Sequence, residues 1–169
     1  MVEEQIDWRK TVEAILENAN RPFVPISKSF IQQPRGSKER SSVLSQFVTN
    51  GDLRGLKAYL LIAASASSPD TDNEWYTSLP LQTWARAFGC SETAGSIATA
   101  KAAATRILLR LQQRGLIEKS RCGKERKIKI KLLAQDGSGE EYQRPASRYI
   151  RLSHDFWKSR FDEDISLPA

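Results

Sequence analysis

Residues 91–133, SETAGSIATAKAAATRILLRLQQRGLIEKSRCGKERKIKIKLL, decide the expected fold, because their pattern predicts one long helix, a tight turn at its C-terminal end and a basic hairpin. Apolar residues recur along the helix at spacings of three and four and so share one face: Ile97, Ala100, Ala104, Ile107, Leu108 and Leu111. A second face is short, polar and cationic: Ser96, Thr99, Ala103, Arg106, Arg110 and Gln113. We expect Gly115 to end this helix in a left-handed conformation.

The second half of the stretch predicts a β-hairpin that carries much of the positive charge. One strand begins at Leu116 and Ile117, and residues 127–132, KIKIKL, alternate as a half-buried strand does, with the lysines outward. Residues 101–131 contain eleven Lys or Arg and two acids, whereas the whole chain has a net charge of +6. A cationic helix face followed by a basic hairpin suits DNA, because the helix can contact base edges while the hairpin binds phosphates.

Within that stretch, TAKAAATRILLRLQQRGLIEKSRCGKERKIKI resembles the recognition helix and wing of the winged helix-turn-helix superfamily. The resemblance rests on the helix rich in small residues, on its C-terminal end and the turn that follows (RILLRLQQRGLI), and on the charged hairpin. It covers roughly half of the chain. It is nearest to bacterial regulators and plasmid replication initiators with a tandem winged-helix layout. It implies an α+β fold, mainly α, but winged helices serve many functions.

Composition excludes several classes of protein. No apolar run approaches the ~20 residues of a membrane-spanning helix, and the acidic start of the chain lacks the order of a signal peptide. Two cysteines without a partner motif argue against a disulfide scaffold and a zinc site. We therefore expect a cytoplasmic, nucleoid-associated protein, whose sequence pI of 9.5 suggests a polyanionic partner.

Residues 1–50 are expected to form a helical extension with a basic loop. Residues 2–19 read as an amphipathic helix that packs on the chain's own core or serves as a dimer arm. Residues 23–31 are interrupted by prolines and read as extended or irregular. The loop that follows carries Arg35, Lys38 and Arg40, either as a solvated connector or as an arm on DNA, and residues 42–48 predict a short helix.

Residues 51–135 are expected to form the winged helix-turn-helix domain. Asp52 should cap a helix over 53–66, followed by an acidic loop, a very short strand at 75–77 and a second helix from Ser78 to Gly89. Residues 90–93 would form the turn, with Ser91 or Thr93 capping the long third helix.

Residues 136–169 predict a strand at 149–153 and an aromatic helix at 154–161. This segment resembles a lead-in to another folded unit, so we expect the natural chain to continue past Ala169.

No phosphate-binding glycine loop, metal-ligand cluster or nucleophile–base pair is evident, so we expect no cofactor, no metal and no enzymatic activity. His154 is expected to pack or to cap a helix. Cys90 is expected to be buried, whereas Cys122, between Arg121 and Lys124 at the hairpin tip, is either an inert turn residue or a redox-sensitive thiol.

The sequence thus predicts a sequence-specific, double-stranded DNA-binding protein, most simply a transcriptional regulator. The third helix would enter the major groove, with Arg106 best placed for a guanine or phosphate, and the hairpin would contact phosphates. The expected DNA-binding residues are Ser91, Thr93, Ser96, Thr99, Lys101, Arg106, Arg110, Arg121, Lys124, Arg126 and Lys127.

Two alternatives share this pattern: a plasmid or phage replication initiator with the same winged helix, and a winged helix used as a protein-interaction module. A homodimer is compatible with each DNA-binding role, because one such domain reads few base pairs.

Overall fold

The computed structural model describes residues 8–32, 42–68, 74–122 and 126–167, apart from the side chains of Thr93 and Cys122. Within these ranges the chain forms nine helices: α1 (Trp8–Glu17), α2 (Lys28–Ile31), α3 (Val43–Thr49), α4 (Leu53–Ser65), α5 (Leu81–Ala87), α6 (Cys90–Thr93), α7 (Ile97–Gln113), α8 (Asp155–Lys158) and α9 (Phe161–Asp164). The described strands are β1 (Phe23–Ser27), β2 (Tyr76–Pro80), β3 (Ile117–Cys122), β4 (Lys127–Leu132) and β5 (Tyr149–Ser153). About half of the described residues are helical and the strands form two small antiparallel sheets, which confirms the α+β class.

The larger sheet contains the hairpin that the sequence predicts. Its strand order is β2-β4-β3, so the lysine-rich strand β4 lies in the centre. In the hairpin Ile117 pairs with Leu132 and Cys122 with Lys127. The strict alternation of β4 appears as expected, with its apolar residues buried and its lysines on the opposite face.

The smaller sheet joins the two ends of the chain. Strand β1 pairs with β5 over Phe23↔Ser153 to Ser27↔Tyr149. The expectation of irregular structure at 23–31 is therefore wrong, since a regular strand is followed by the short helix α2. Pro25 is tolerated because β1 belongs to a two-stranded sheet and has one edge without a ladder.

Helix α4 is the centre of the hydrophobic core. Nine of its thirteen residues are buried, and Asp52 caps it as expected by accepting a hydrogen bond from the Gly55 amide at 3.0 Å. The core around it includes side chains from each of the segments 1–50, 51–135 and 136–169. Arg9 of α1 also forms an ion pair with Glu163 of α9. The three-part division of the chain stays a prediction.

Three expected element boundaries are wrong. Residues 78–80 belong to strand β2, so the second helix begins at Leu81 and Pro80 occupies its N-cap. The expected turn at 90–93 is the short helix α6, preceded by Gly89 in a left-handed conformation with φ 73°. The aromatic helix expected at 154–161 is two helices, α8 and α9, divided at Arg160, whose φ is 66°.

Gly115 ends α7 as expected, with φ 72°. A Cβ atom at this position would lie 2.6 Å from the carbonyl oxygen of Gly137, in the loop that follows β4. In the same loop, Gln135 is buried, accepts a hydrogen bond from the Ser27 amide at 2.6 Å and donates one to the Pro25 carbonyl at 3.2 Å. This loop therefore packs between the end of α7 and strand β1.

Candidate nucleic-acid interface

Helix α7 begins at Ile97, later than expected, because Ser96 is its N-cap. The Ser96 hydroxyl accepts a hydrogen bond from the Thr99 amide at 3.2 Å and lies 2.9 Å from the Thr99 hydroxyl. The backbone at Ala94 is extended and separates α6 from α7. The capping roles expected of Ser91 and Thr93 are therefore wrong. Ser91 is exposed on α6, while the Thr93 side chain lies outside the described part of the chain.

The buried face of α7 follows the expected periodicity with one exception. Ala100, Ala104, Ile107, Leu108 and Leu111 are all buried, but Ile97 is 61% exposed. Ile97 is the first helical residue, next to the extended segment that follows α6, and the core residues of α7 begin one turn later.

The outer face of α7 is accessible along the whole helix. The outer face is defined by exposed residues whose side chains lie within about 60° of Arg106 when the helix is viewed along its axis, at about 100° per residue. Its five members are Thr99, Ala102, Arg106, Leu109 and Gln113. Arg106 forms no hydrogen bond or ion pair with any residue in the described ranges. Lys101, also expected to contact DNA, is half-buried and lies about 140° around the helix from Arg106, so it is outside this face.

Arg110 lies at one side of the outer face, where it is bound by Asp52, a partner that the sequence analysis did not predict. Its Nε and Nη2 atoms donate to the Asp52 carboxylate at 3.2 and 3.0 Å. Arg114 donates to the same carboxylate at 2.8 Å, and its guanidinium lies 4.1 Å from the centre of the Phe47 ring. Burial by itself raises the pKa of Asp52, but hydrogen bonds from Arg110, Arg114 and the Gly55 amide outweigh it and lower the pKa. Arg110 is thus oriented by Asp52, an ion pair that the sequence analysis did not predict.

The other side of α7 faces the hairpin. The amide of Lys119, on edge strand β3, donates to the Gln112 side-chain carbonyl at 3.1 Å. Gln112 lies about 200° around the helix from Arg110. The outer face of α7 therefore lies between the acid-bound arginines on one side and strand β3 on the other.

Two of the three lysines on β4 form ion pairs with acidic side chains, which the sequence analysis did not predict. Lys129 and Lys131 lie 3.2 and 3.3 Å from the Glu74 carboxylate, and Lys131 also lies 3.5 Å from Glu141. Hydrogen bonds from both lysines lower the pKa of Glu74. Lys127, the DNA contact expected on this strand, is half-buried and has an electrostatic or hydrogen-bond partner of its own.

The arginines near the free end of the hairpin are more accessible. Arg121 on β3 and Arg126 before β4 are exposed and make no ion pair with residues that the structure describes. Arg126 has φ 54°, a left-handed conformation that is unusual for a residue with a side chain. Lys124, the other contact expected here, lies outside the described residues, as do Arg35, Lys38 and Arg40.

Sequence reasoning missed a second group of cations, because the pairing of β1 with β5 brings together residues more than a hundred positions apart. The Lys28 amide donates to the Arg148 carbonyl at 2.9 Å, and the Arg151 guanidinium lies 4.9 Å from the centre of the Phe23 ring. Lys28, Arg148 and Arg151 are all exposed, as is Arg144, which lines the same surface pocket as Phe23. A local charge count cannot find such a group, since only the strand register assembles it.

Other kinds of site are not evident in the part of the chain that the structure describes. Within the described ranges, no three His, Cys, Asp or Glu residues are grouped so that they could hold a metal ion, and no helix is long and apolar enough to cross a membrane. Cys90 is buried, as expected, and burial raises the pKa of its thiol. Burial lowers the pKa of His154, whose ring lies edge-on to Trp157 at 6.3 Å.

Comparisons with protein-family models, with curated proteins and with solved structures found no match to this chain. The surface around α7 therefore has to be interpreted from its own chemistry.

Proposed function

We propose that this chain is a sequence-specific, double-stranded DNA-binding protein of the winged-helix type that acts as a transcriptional regulator. The order α4, β2, α5, α6, α7, β3, β4, with sheet order β2-β4-β3, is compatible with that architecture. The single observation that carries the proposal is the outer face of α7. Apart from the exposed Leu109, this face has small and polar side chains, is exposed over about four turns, and presents at its middle Arg106, which is unpaired among the described residues.

Helix α7 would enter the major groove, which is about 12 Å wide and admits one helix. Ala102 and Thr99 are short enough to bring the helix backbone close to base edges. The guanidinium of Arg106 offers two parallel donors, the geometry that matches the acceptors of guanine. The hairpin arginines Arg121 and Arg126 would add phosphate contacts that position the helix without reading sequence.

Selection of bound sequences from random duplexes tests the proposal directly. An enriched sequence is expected, and a palindrome would also reveal the two-fold symmetry of the homodimer that we propose for operator binding. Arg106→Ala should relax the sequence preference at one base pair by about 1–3 kcal/mol. Recovery of no preferred sequence would contradict specific recognition.

The replication-initiator alternative predicts a different genomic pattern. A regulator is expected to bind one operator before a gene, whereas an initiator would bind repeated sites at an origin. Mapping the selected sequence onto the parent genome separates these two roles.

The intramolecular pairing of Lys129 and Lys131 favours the protein-interaction alternative, because it removes charge that a DNA surface could use. A salt titration decides between them. For DNA binding, the logarithm of affinity should fall with the logarithm of salt concentration, with a slope near ~0.9 per phosphate neutralised. Weak binding to every duplex at low salt would support the interaction module.

A further inference from the structure

A polar cleft lies beside the outer face of α7, between the turn that joins α3 to α4 and the last two turns of α7. Its volume is about 450 Å³. Its lining residues are Asn50, Gly51, Asp52, Arg110, Gln113 and Arg114.

The three charged groups of the cleft leave one net positive charge. The Asp52 carboxylate is fully occupied, because it accepts hydrogen bonds from Arg110, from Arg114 and from the amide that it caps. Arg110 uses only the Nε–Nη2 side of its guanidinium for this carboxylate. Its Nη1 group donates to no residue in the described ranges, and its side chain is 42% exposed.

Gln113 supplies a second polar group in the lining of the cleft. Its side chain is exposed, whereas the Asn50 amide on the opposite wall already donates to the Gln46 carbonyl at 2.8 Å. Gln113 is seven residues from Arg106, so it shares the outer face of α7 at a distance of about 10 Å along the helix axis. An anion in the cleft would therefore lie alongside the groove that Arg106 is proposed to read.

We propose that this cleft binds one backbone phosphate of the DNA duplex, with Arg110 and the Gln113 amide as donors and Asp52 holding Arg110 in place. A guanidinium is well suited to phosphate because its donors are planar and it stays charged. Its orientation by Asp52 reduces the conformational entropy that binding would otherwise cost. The proposal rests on the proposed function and assigns Arg110 to a phosphate instead of a base.

The first test places a negative charge in the cleft. Gln113→Glu should weaken binding to specific and random duplexes alike, by roughly tenfold, because like charge repels the phosphate and one phosphate contact is lost. Gln143→Glu, the same exchange at an exposed site outside the cleft, is the control and should leave affinity within about twofold of wild type.

The second test removes the phosphate charge instead. Neutral methylphosphonate linkages are placed one at a time along the selected duplex, and binding to wild type and to Arg110→Gln is measured. Wild type should lose affinity at the linkage over the cleft, and Arg110→Gln should be insensitive at that linkage alone. Circular dichroism and thermal unfolding identify a variant that fails to fold, in which case the Gln113→Glu comparison, scanned against the same linkages, decides.

The outcomes separate the cleft from the proposed function. If wild type binds DNA with a steep salt dependence but both variants match it at every linkage, the cleft is not a phosphate site while DNA binding stands. If wild type prefers no duplex at any salt concentration, both proposals fail.

Discussion

Asp52 gives the sharpest stability prediction, because one carboxylate caps α4 and binds two arginines of α7. Asp52→Asn keeps an oxygen for the cap but loses the negative charge. The Arg114 pair is well buried, at 13% and 10% exposed, so its charge-assisted hydrogen bond is worth about 1.5–3 kcal/mol. The Arg110 side chain is 42% exposed, which limits its pair to about 1 kcal/mol. The two pairs together give the expected effect: Asp52→Asn should lower the free energy of unfolding by about 2–4 kcal/mol, and Asp52→Ala by about 1 kcal/mol more through loss of the cap.

Urea denaturation at several pH values tests this reasoning. Hydrogen bonds hold the pKa of Asp52 below its ordinary value of 3.8, so its contribution to stability is fully present above 3.8. That contribution is lost as pH falls through the lower folded-state pKa. The stability difference between wild type and Asp52→Asn should therefore be full near neutral pH and shrink in acid. Equal stability of the two proteins near neutral pH, or a difference that grows in acid, would refute the ion-pair account.

Three further predictions concern the turns and the hairpin. Gly115→Ala should lower the free energy of unfolding by about 1–2 kcal/mol because its backbone is left-handed, and by a further amount because the new Cβ would lie 2.6 Å from the Gly137 carbonyl oxygen. Gly89→Ala, with φ 73° and open space around it, should show only the backbone effect, and thermal unfolding measures both variants. Arg126→Gly places glycine at a left-handed backbone position, so the free energy of unfolding should stay the same or rise. The same variant should bind all DNA duplexes more weakly, and to a similar extent, in a binding titration. A lower free energy of unfolding would contradict this prediction. Glu74→Gln should release Lys129 and leave Lys131 paired with Glu141 alone, which should strengthen DNA binding and steepen its salt dependence; an unchanged slope would show that these lysines do not contact phosphate.

Periodicity predicted the parts of this fold whose burial is set by near neighbours in sequence. The buried stripe of α7, the alternation of β4 and the glycine exit at Gly115 were all predicted, because each depends on residues within one element. The errors occur where a competing structure outside the element decided the outcome. Strand β1 forms despite Pro25 because β5 offers it a partner, and residues 78–80 remain in strand β2 because β4 pairs with them.

The candidate interface shows the same division. The sequence alone determined that one face of α7 is rich in small and polar residues and that the hairpin is basic, since both follow from side-chain spacing and local composition. Only the tertiary structure decided which cations stay available, because Asp52 and Glu74 lie more than fifty residues from the side chains that they bind. Charge on a chain can be counted from its sequence, but neutralisation needs two groups within a few ångströms, and packing sets that distance.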